Sequence, residues 1–537
     1  MRLFPISSVQ ARWRLVQAGG ALAAAALIAA CGNNYRPVVT PVSTNGPAAQ
    51  PPSYAVVVSS PSPSLPGVAT IIDYSGDSIM AEAQIGIGPL AFTVDEIAGT
   101  GYTYNSDHTI TNFPVETSLQ QKLELVTTLP ATAQPLNIYA PSTGLWIGDL
   151  TGDVTDIFSG SPQAFKLAIP MAPATTPAFV AGSPAAGGQR EYVINQNLGS
   201  HPTGVECNVS PTTQPDGTAV PVEISSFTTD VPIPLGKCPV FAVQSPDQRR
   251  LFVLNRGDDT ITVIDSQKNI LDNDCPAPTG CVNQNGQTYF THPLLPLSTT
   301  AVTATHITPP NGTAGMKAIA GPVYAEYNVA TSQLVVADYD GGTVSIIDVS
   351  LDEYGNDSPT FGTTYTVPVG TTATPYPASV TVLYDGSRAY TANQGDCTPN
   401  CSASQNGTVT VVNLASHTVE KTLPVTGLPR TVVSTQNSLY GKVYVASPNT
   451  NFLTILETTD DLVDTALQIE GNVVDVRATT QTGSSQSVST YNGSMTISNI
   501  NYSSRIPGYG QPCNLPPPVM IATYGASYTE HDCQNIP

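Results

Sequence analysis

Positive charge is the scarcest commodity in this chain. Nineteen Lys and Arg stand against 40 Asp and Glu, a formal charge of −21 over 537 residues. That excludes a basic nucleic-acid footprint and an electrostatic grip on anionic lipid. Charge of either sign is thin, at 11% of residues where about 25% is usual. Helical periodicity is missing, and so are a G-x-S-x-G elbow and any HExxH-like spacing, which removes the ordinary serine-hydrolase and zincin readings. The six histidines, His108, His201, His292, His306, His417 and His531, fall in separate segments. Beyond the first 30 residues no apolar run is long enough to span a bilayer. What the chain does have is 48 Pro, 43 Gly and 40% hydrophobic residues. It is turn-rich, with material for a large core.

The first 30 residues form a distinct segment. Arg2, Arg12 and Arg14 come with no acid, and an Ala-rich apolar run from Leu15 to Ala30 follows. A basic start, a short apolar stretch and small residues before a cut site make an export signal. The run ends Ile28-Ala-Ala-Cys31, which resembles the lipobox of bacterial lipoproteins. That resemblance implies acylation of Cys31 after removal of residues 1–30, with a membrane held through the N-terminal lipid. No Asp follows Cys31, so the resemblance favours the outer membrane. Residues 31–52, rich in Pro and Asn, read as a flexible tether. Apart from Cys31 there are eight cysteines: Cys207, Cys238, Cys275, Cys281, Cys397, Cys401, Cys513 and Cys533. An even number in an exported chain points to disulfides.

Internal repetition is the strongest signal. Leu251–Asn255 and Thr260–Asp265 are two β-branched runs joined by a Gly/Asp turn, a hairpin pattern. Leu334–Asp338 with Thr343–Asp348, Ala389–Asn393 with Thr408–Asn413, and Val443–Ser447 with Phe452–Glu457 repeat it. Weaker copies start at Tyr54, Tyr102, Leu145 and Tyr192. The corresponding residues Ser59, Asn105, Asp149, Asn195, Asn255, Asp338, Asn393 and Ser447 are spaced 46, 44, 46, 60, 83, 55 and 54 apart. A base period in the mid-forties with insertions fits one four-stranded propeller blade per repeat.

The run from Ser245-Pro-Asp through Leu251–Asn255 to Thr260–Asp265 resembles the YVTN-type β-propeller repeat of bacterial exported proteins, well over residues 240–460 and loosely over 53–235. The expectation is an all-β fold, a single β-propeller of four-stranded antiparallel blades over residues 53–477. Eight hairpins imply eight blades, with seven as the alternative. The first repeat lacks an inner strand, and Gly471–Arg477 has the form of one without partners, so a C-terminal strand is expected to join the N-terminal blade and close the ring. Residues 478–537 read as an irregular extension clamped by Cys513–Cys533. Propeller topology places Cys207 and Cys238 on one face, where they are expected to pair. The other cysteines pair locally.

In that topology the loops joining second to third strands share a face around the central channel. It collects Asn105, His108, Asp149, His201, Asn255, Asp258, Asp338, Asp340 and Asn393 as a candidate binding face. Asp, Asn and Gly are also simply what tight turns require. No cofactor is expected. Calcium is the one cation that the oxygens of Asp149, Asp153 and Asp156, or of Asp272 and Asp274, would suit, although neither set matches a calcium loop. A quinone dehydrogenase on this scaffold would need repeated tryptophans, and beyond the leader only Trp146 remains. The functional expectation is a monomeric, membrane-anchored binding or scaffold module of the cell envelope, facing periplasm or exterior. Its ligand would be a protein, a glycan or a small molecule, and no nucleic acid. The alternative is a lactonase-like hydrolase.

Overall fold

The structure is a computed structural model. It describes residues 53–480 apart from 74–76, 95–99, 116–125, 130–132, 134, 141–143, 150–153, 160–163, 173–174, 183–189, 200–214, 246, 284, 298–320, 353, 373–374, 384, 395–405 and 435–440. Among the described residues there is no helix.

The chain builds consecutive antiparallel sheets. The first holds β1 (Ser53–Ser60), β2 (Pro66–Asp73) and β3 (Ser78–Ile87). The second holds β4 (Pro89–Val94), β5 (Thr100–Asn105), β6 (Thr109–Pro114) and β7 (Val126–Thr128), and the third β8 (Pro135–Tyr139), β9 (Leu145–Asp149), β10 (Val154–Ser159) and β11 (Ala164–Pro170). The fourth comprises β12 (Pro177–Gly182), β13 (Arg190–Asn195), β14 (Asp216–Glu223) and β15 (Ile233–Lys237). The fifth comprises β16 (Pro239–Gln244), β17 (Arg250–Asn255), β18 (Thr260–Asp265) and β19 (Ile270–Leu271). An excursion follows, with a small hairpin of β20 (Cys281–Val282) and β21 (Thr288–Tyr289), before β22 (Leu294–Pro296) returns to β18. The sixth sheet is β23 (Pro322–Asn328), β24 (Gln333–Asp338), β25 (Thr343–Asp348) and β26 (Thr364–Pro368). The seventh is β27 (Pro377–Val382), β28 (Arg388–Asn393), β29 (Thr408–Asn413) and β30 (Thr418–Pro424). The eighth is β31 (Thr431–Ser434), β32 (Lys442–Ala446), β33 (Phe452–Glu457) and β34 (Leu462–Gln468). Finally β35 (Asn472–Thr480) pairs antiparallel with β1 and completes the first sheet as its fourth member.

Each sheet is covered on both faces, so its middle strands read as continuous apolar runs rather than alternations. Every residue of β9, β17 and β32 is buried, whereas β30 and β34 at the outer positions contain no buried residue. Adjacent sheets share core clusters. One runs from Phe179 and Tyr192 through Phe241 and Phe252 to Tyr327 and Leu334. Within it Phe179 and Phe241 lie 4.9 Å apart between ring centres and Phe241 and Tyr324 4.6 Å, an aromatic series across β12, β16 and β23. The first strands touch their successors: β4 meets β8, β8 meets β12, then β16, β23, β27, β31 and β35 follow, and β35 meets β4.

The fifth sheet departs from a plain four-strand reading. Its outer position is shared, with β19 pairing Ile264 and Asp265 and β22 pairing Thr260–Thr262. Between them the excursion is stapled by the Cys275–Cys281 disulfide. Cys238 is also disulfide-bonded, and its expected partner Cys207 lies outside the described residues. So do Cys31, the leader and tether, Cys397, Cys401, Cys513, Cys533 and His201. The last strand continues to Thr480, three residues past the boundary expected at 477.

Candidate functional site

The hairpin ends that define the repeat prove to be internal fasteners. Asn105 is fully buried, and its Nδ2 donates to Thr109 Oγ1 at 3.0 Å and Thr111 Oγ1 at 3.1 Å. Asn255 donates in the same way to Thr260 (3.1 Å) and Thr262 (2.8 Å), and Asn393 to Thr408 (3.1 Å) and Thr410 (2.8 Å). The second hydroxyl of each set reaches the preceding sheet. Thr111, Thr262 and Thr410 accept from the backbone N–H groups of Gly86, Gly236 and Gly370. A Cβ at Gly86 would lie 2.1 Å from Asn105 Nδ2, so glycine is required there by close approach.

Asp338 occupies the same position with reversed polarity. Its Oδ2 accepts from Thr343 Oγ1 at 3.0 Å and Ser345 Oγ at 2.6 Å. The turn explains the exchange. Asp107 and Asp258, two residues before the first threonine, take the hydroxyl hydrogens of Thr109 and Thr260. The corresponding residue before Thr343 is Gly341, so that hydrogen goes to Asp338 instead. Burial pushes Asp338 up to about 7, with Asp259 and Asp340 adding to the shift and the two hydroxyls opposing it.

The next residue in each repeat is Gln196, Arg256, Tyr339 or Gln394; Gln196 is buried and its Nε2 donates to Pro239 O at 3.0 Å, whereas the other three are half-buried and reach the surface at this end. The backbone N–H groups of all four bond the carbonyls of Thr176, Cys238, Gly321 and Tyr376, just ahead of the first strands. Those four residues all have positive φ, between 49° and 67°. At Thr176, Cys238 and Tyr376 a side chain is carried in this strained conformation, a cost of about 1–3 kcal/mol each. Arg256 grips Asp340 with two hydrogen bonds of 2.9 Å and lies over the Tyr339 ring, 5.2 Å from its centre. Tyr339 stacks on Tyr376 at 5.0 Å and donates its hydroxyl to Gln394 Oε1 at 3.3 Å. Sheets five to seven thus share one connected polar-aromatic cluster, in which Arg256, Tyr339 and Gln394 reach the surface while Tyr376 and the Asp340 carboxylate are buried behind them. Sequence reasoning named Asp340 but missed Arg256, Tyr339, Tyr376 and Gln394. The signal available was their common place, immediately after or across from the Asn/Asp that ends the second strand.

The remaining candidates are dispersed. Asp258 is half-buried and accepts from Lys237 N at 3.0 Å. His108 has φ 60° and sits with Nδ1 3.4 Å from the Tyr104 hydroxyl, in the second sheet. Asp149 is buried at the end of β9. Asp338 and Asp340 share the sixth hairpin, and Asp338 feels the charge of Asp259 as well, but no group of three acids, histidines or cysteines is arranged to hold a metal among the described residues.

Other cations act between sheets at the opposite end of the strands. Arg250 bonds Asp272 and, in the next sheet, Asp357, each at 3.2 Å; Asp357 is also reached by His292 Nδ1 at 2.9 Å. Burial pushes Asp272 up to about 7, against Arg250, which lowers it. Arg388 pairs with Asp461 and Lys442 with Asp77, again one sheet onward. Arg477 is fully buried, holds Asp475 through both terminal nitrogens and donates to Phe92 O at 3.0 Å, joining β35 to β4. First strands are also stitched by side chains: Asn137 Oδ1 accepts from Val180 N, Ser379 Oγ from Val432 N and Thr381 Oγ1 from Ser434 N, each at 3.1 Å. Glu326 reaches Thr381 and Val382 N the same way, and burial pushes it up to about 8.

No protein-family model matches the chain, and no curated protein matches it in sequence. Among solved structures it is similar to AztD from Citrobacter koseri, at 10% identity and a TM-score of 0.51, covering 81% of this chain and 99% of that one. The apo form of AztD from the same organism gives 11% identity, a TM-score of 0.50 and coverage of 80% and 98%. The dihydro-heme d1 dehydrogenase NirN, in complex with DHE, matches at 12% identity and 0.51, covering 78% of this chain and 73% of that one. These neighbours are β-propeller proteins. At such identity the likeness concerns fold: all-β, built of four-stranded antiparallel sheets of the propeller kind.

Proposed function

We propose that this chain is an exported, lipid-anchored binding module: eight blades in one ring, closed by β35 beside β1, with its ligand taken at the end where second strands turn into third strands. Closure is supported by the succession of first-strand contacts that returns from β35 to β4, and by Arg477 and Lys442, which bridge the last-made strands to the first. The observation that carries the binding reading is the half-buried set Arg256, Tyr339 and Gln394, backed by buried Asp340 and Tyr376. Its backbone is held by locked hairpin ends, so a ligand would meet groups already ordered. Stacked rings beside fixed donors and acceptors suit a polar ligand with an apolar face, such as a glycan or a peptide.

The test is saturation-transfer NMR with neutral disaccharides and short peptides as probes. Contacts are expected with the wild type and lost in Tyr339→Ala and Gln394→Ala. A probe bound equally by these variants would refute the site. Turnover of a lactone or ester probe, abolished by the same variants, would replace the binding reading with a hydrolytic one. The anchor has its own test: Cys31→Ser should move the protein from the membrane fraction to the soluble export fraction, and unchanged retention would refute lipidation.

A further inference from the structure

Six sheets show an exposed large apolar residue within the first three positions of the outermost strand: Met80, Phe165, Ile270, Tyr365, Val419 and Leu462. Each is between 41% and 55% exposed, too much for core packing, and they outnumber Leu65 and Leu90, which are similarly exposed at the opposite end. The registers place them all at one end. Third strands finish beside the start of the fourth strand and of the second: Glu457 faces both Leu462 and Lys442, Asn413 both Thr418 and Arg388, Asp265 both Ile270 and Arg250. Contacts between sheets hold the same level, since Tyr365 stacks on His417 at 3.6 Å, Lys421 reaches Asp460 O and Lys442 pairs with Asp77. The beginning of β1 lies at this end too, because Tyr54 faces Asp73, which faces Ser78. The described chain therefore begins at the apolar rim and not at the Arg256–Tyr339 end.

We propose that this rim rests on the bilayer that carries the anchor, so that the Arg256–Tyr339 surface points away from the membrane. The occupant rests on the anchored reading above. On that reading 22 residues, 31–52, lead from the anchor to β1, and a flexible tether of that length would reach about 25 Å, enough to hold the rim at high local concentration over the lipid. The net charge of −21 and the acids Glu82, Glu420, Asp460 and Asp464 near the outer strands select a zwitterionic surface over an anionic one.

The experiment uses the Cys31→Ser protein, which carries no acyl chain, with saturating phosphatidylcholine vesicles containing brominated lipid. Tryptophan placed by Tyr365→Trp or Val419→Trp should be quenched, whereas Ser106→Trp at the opposite end should not. The double variant Val419→Ser/Leu462→Ser should lower vesicle partitioning about tenfold, and phosphatidylglycerol should weaken it. Equal quenching at both ends, or none at the rim, would overturn the proposal. So would light scattering that shows a dimer abolished by the double variant, since the rim would then be an interface between two copies. Because this protein lacks the acyl site, failure here is separate from failure of the Cys31 fractionation test.

Discussion

Asp338→Asn isolates a single buried carboxyl. In the folded protein this group is pushed up to about 7 from an ordinary 3.8. Between those values the native state binds more protons than the unfolded chain, so stability falls as pH rises and levels off above 7. At about 1.4 kcal/mol per pH unit, ionisation costs roughly 1.5 kcal/mol at pH 5 and about 4 kcal/mol at pH 8. The asparagine variant does not titrate, so its stability relative to wild type should rise by about 2.5 kcal/mol between pH 5 and pH 8. At pH 5 the variant should be the weaker protein by about 1 kcal/mol, because Thr343 loses the acceptor for its hydroxyl hydrogen. Adding Gly341→Asp should restore that acceptor and recreate the Asn255 arrangement. Urea unfolding at pH 5, 6.5 and 8 measures all three proteins, and the wild-type-minus-variant difference cancels the titration of Glu326 and Asp272. Curves for wild type and Asp338→Asn that run parallel over this range would refute the assignment of a raised carboxyl at Asp338.

Arg477→Met should destabilise by about 3–5 kcal/mol, because Asp475 is left buried without its cation; urea midpoints should show it, with Lys421→Met, whose ammonium makes only a solvent-exposed bond to Asp460 O, changing little. Ending the chain before Asn472 should abolish cooperative unfolding, whereas ending it after Thr480 should be far milder, and equal losses would argue against closure by β35. Gly86→Ala forces its methyl onto Asn105 and should cost at least about 2 kcal/mol by thermal or urea unfolding.

The strands and their pairing were legible because their determinants are local. A β-branched run such as Leu251–Asn255, a Gly/Asp turn and Thr260–Asp265 hold strand propensity, turn chemistry and register within 15 residues, and the observed partners Asn255 and Thr260 follow directly. The split outer strand of the fifth sheet was not legible, since β19 has two residues and the excursion before β22 carries no periodicity. At the candidate face, sequence located the hairpin ends but not their employment. The same Asn or Asp can face a ligand or a threonine hydroxyl, and only burial against the preceding sheet decides that Asn105, Asn255 and Asn393 hold the fold while Arg256, Tyr339 and Gln394 face outward. The contacts between sheets lay beyond sequence altogether: Arg250 meets Asp357 across 107 positions and Arg477 meets Phe92 across 385. Hairpin formation is a property of neighbours along the chain. The choice of which cation crosses to which carboxylate depends on how neighbouring sheets stack, and that exists only once the tertiary structure has formed.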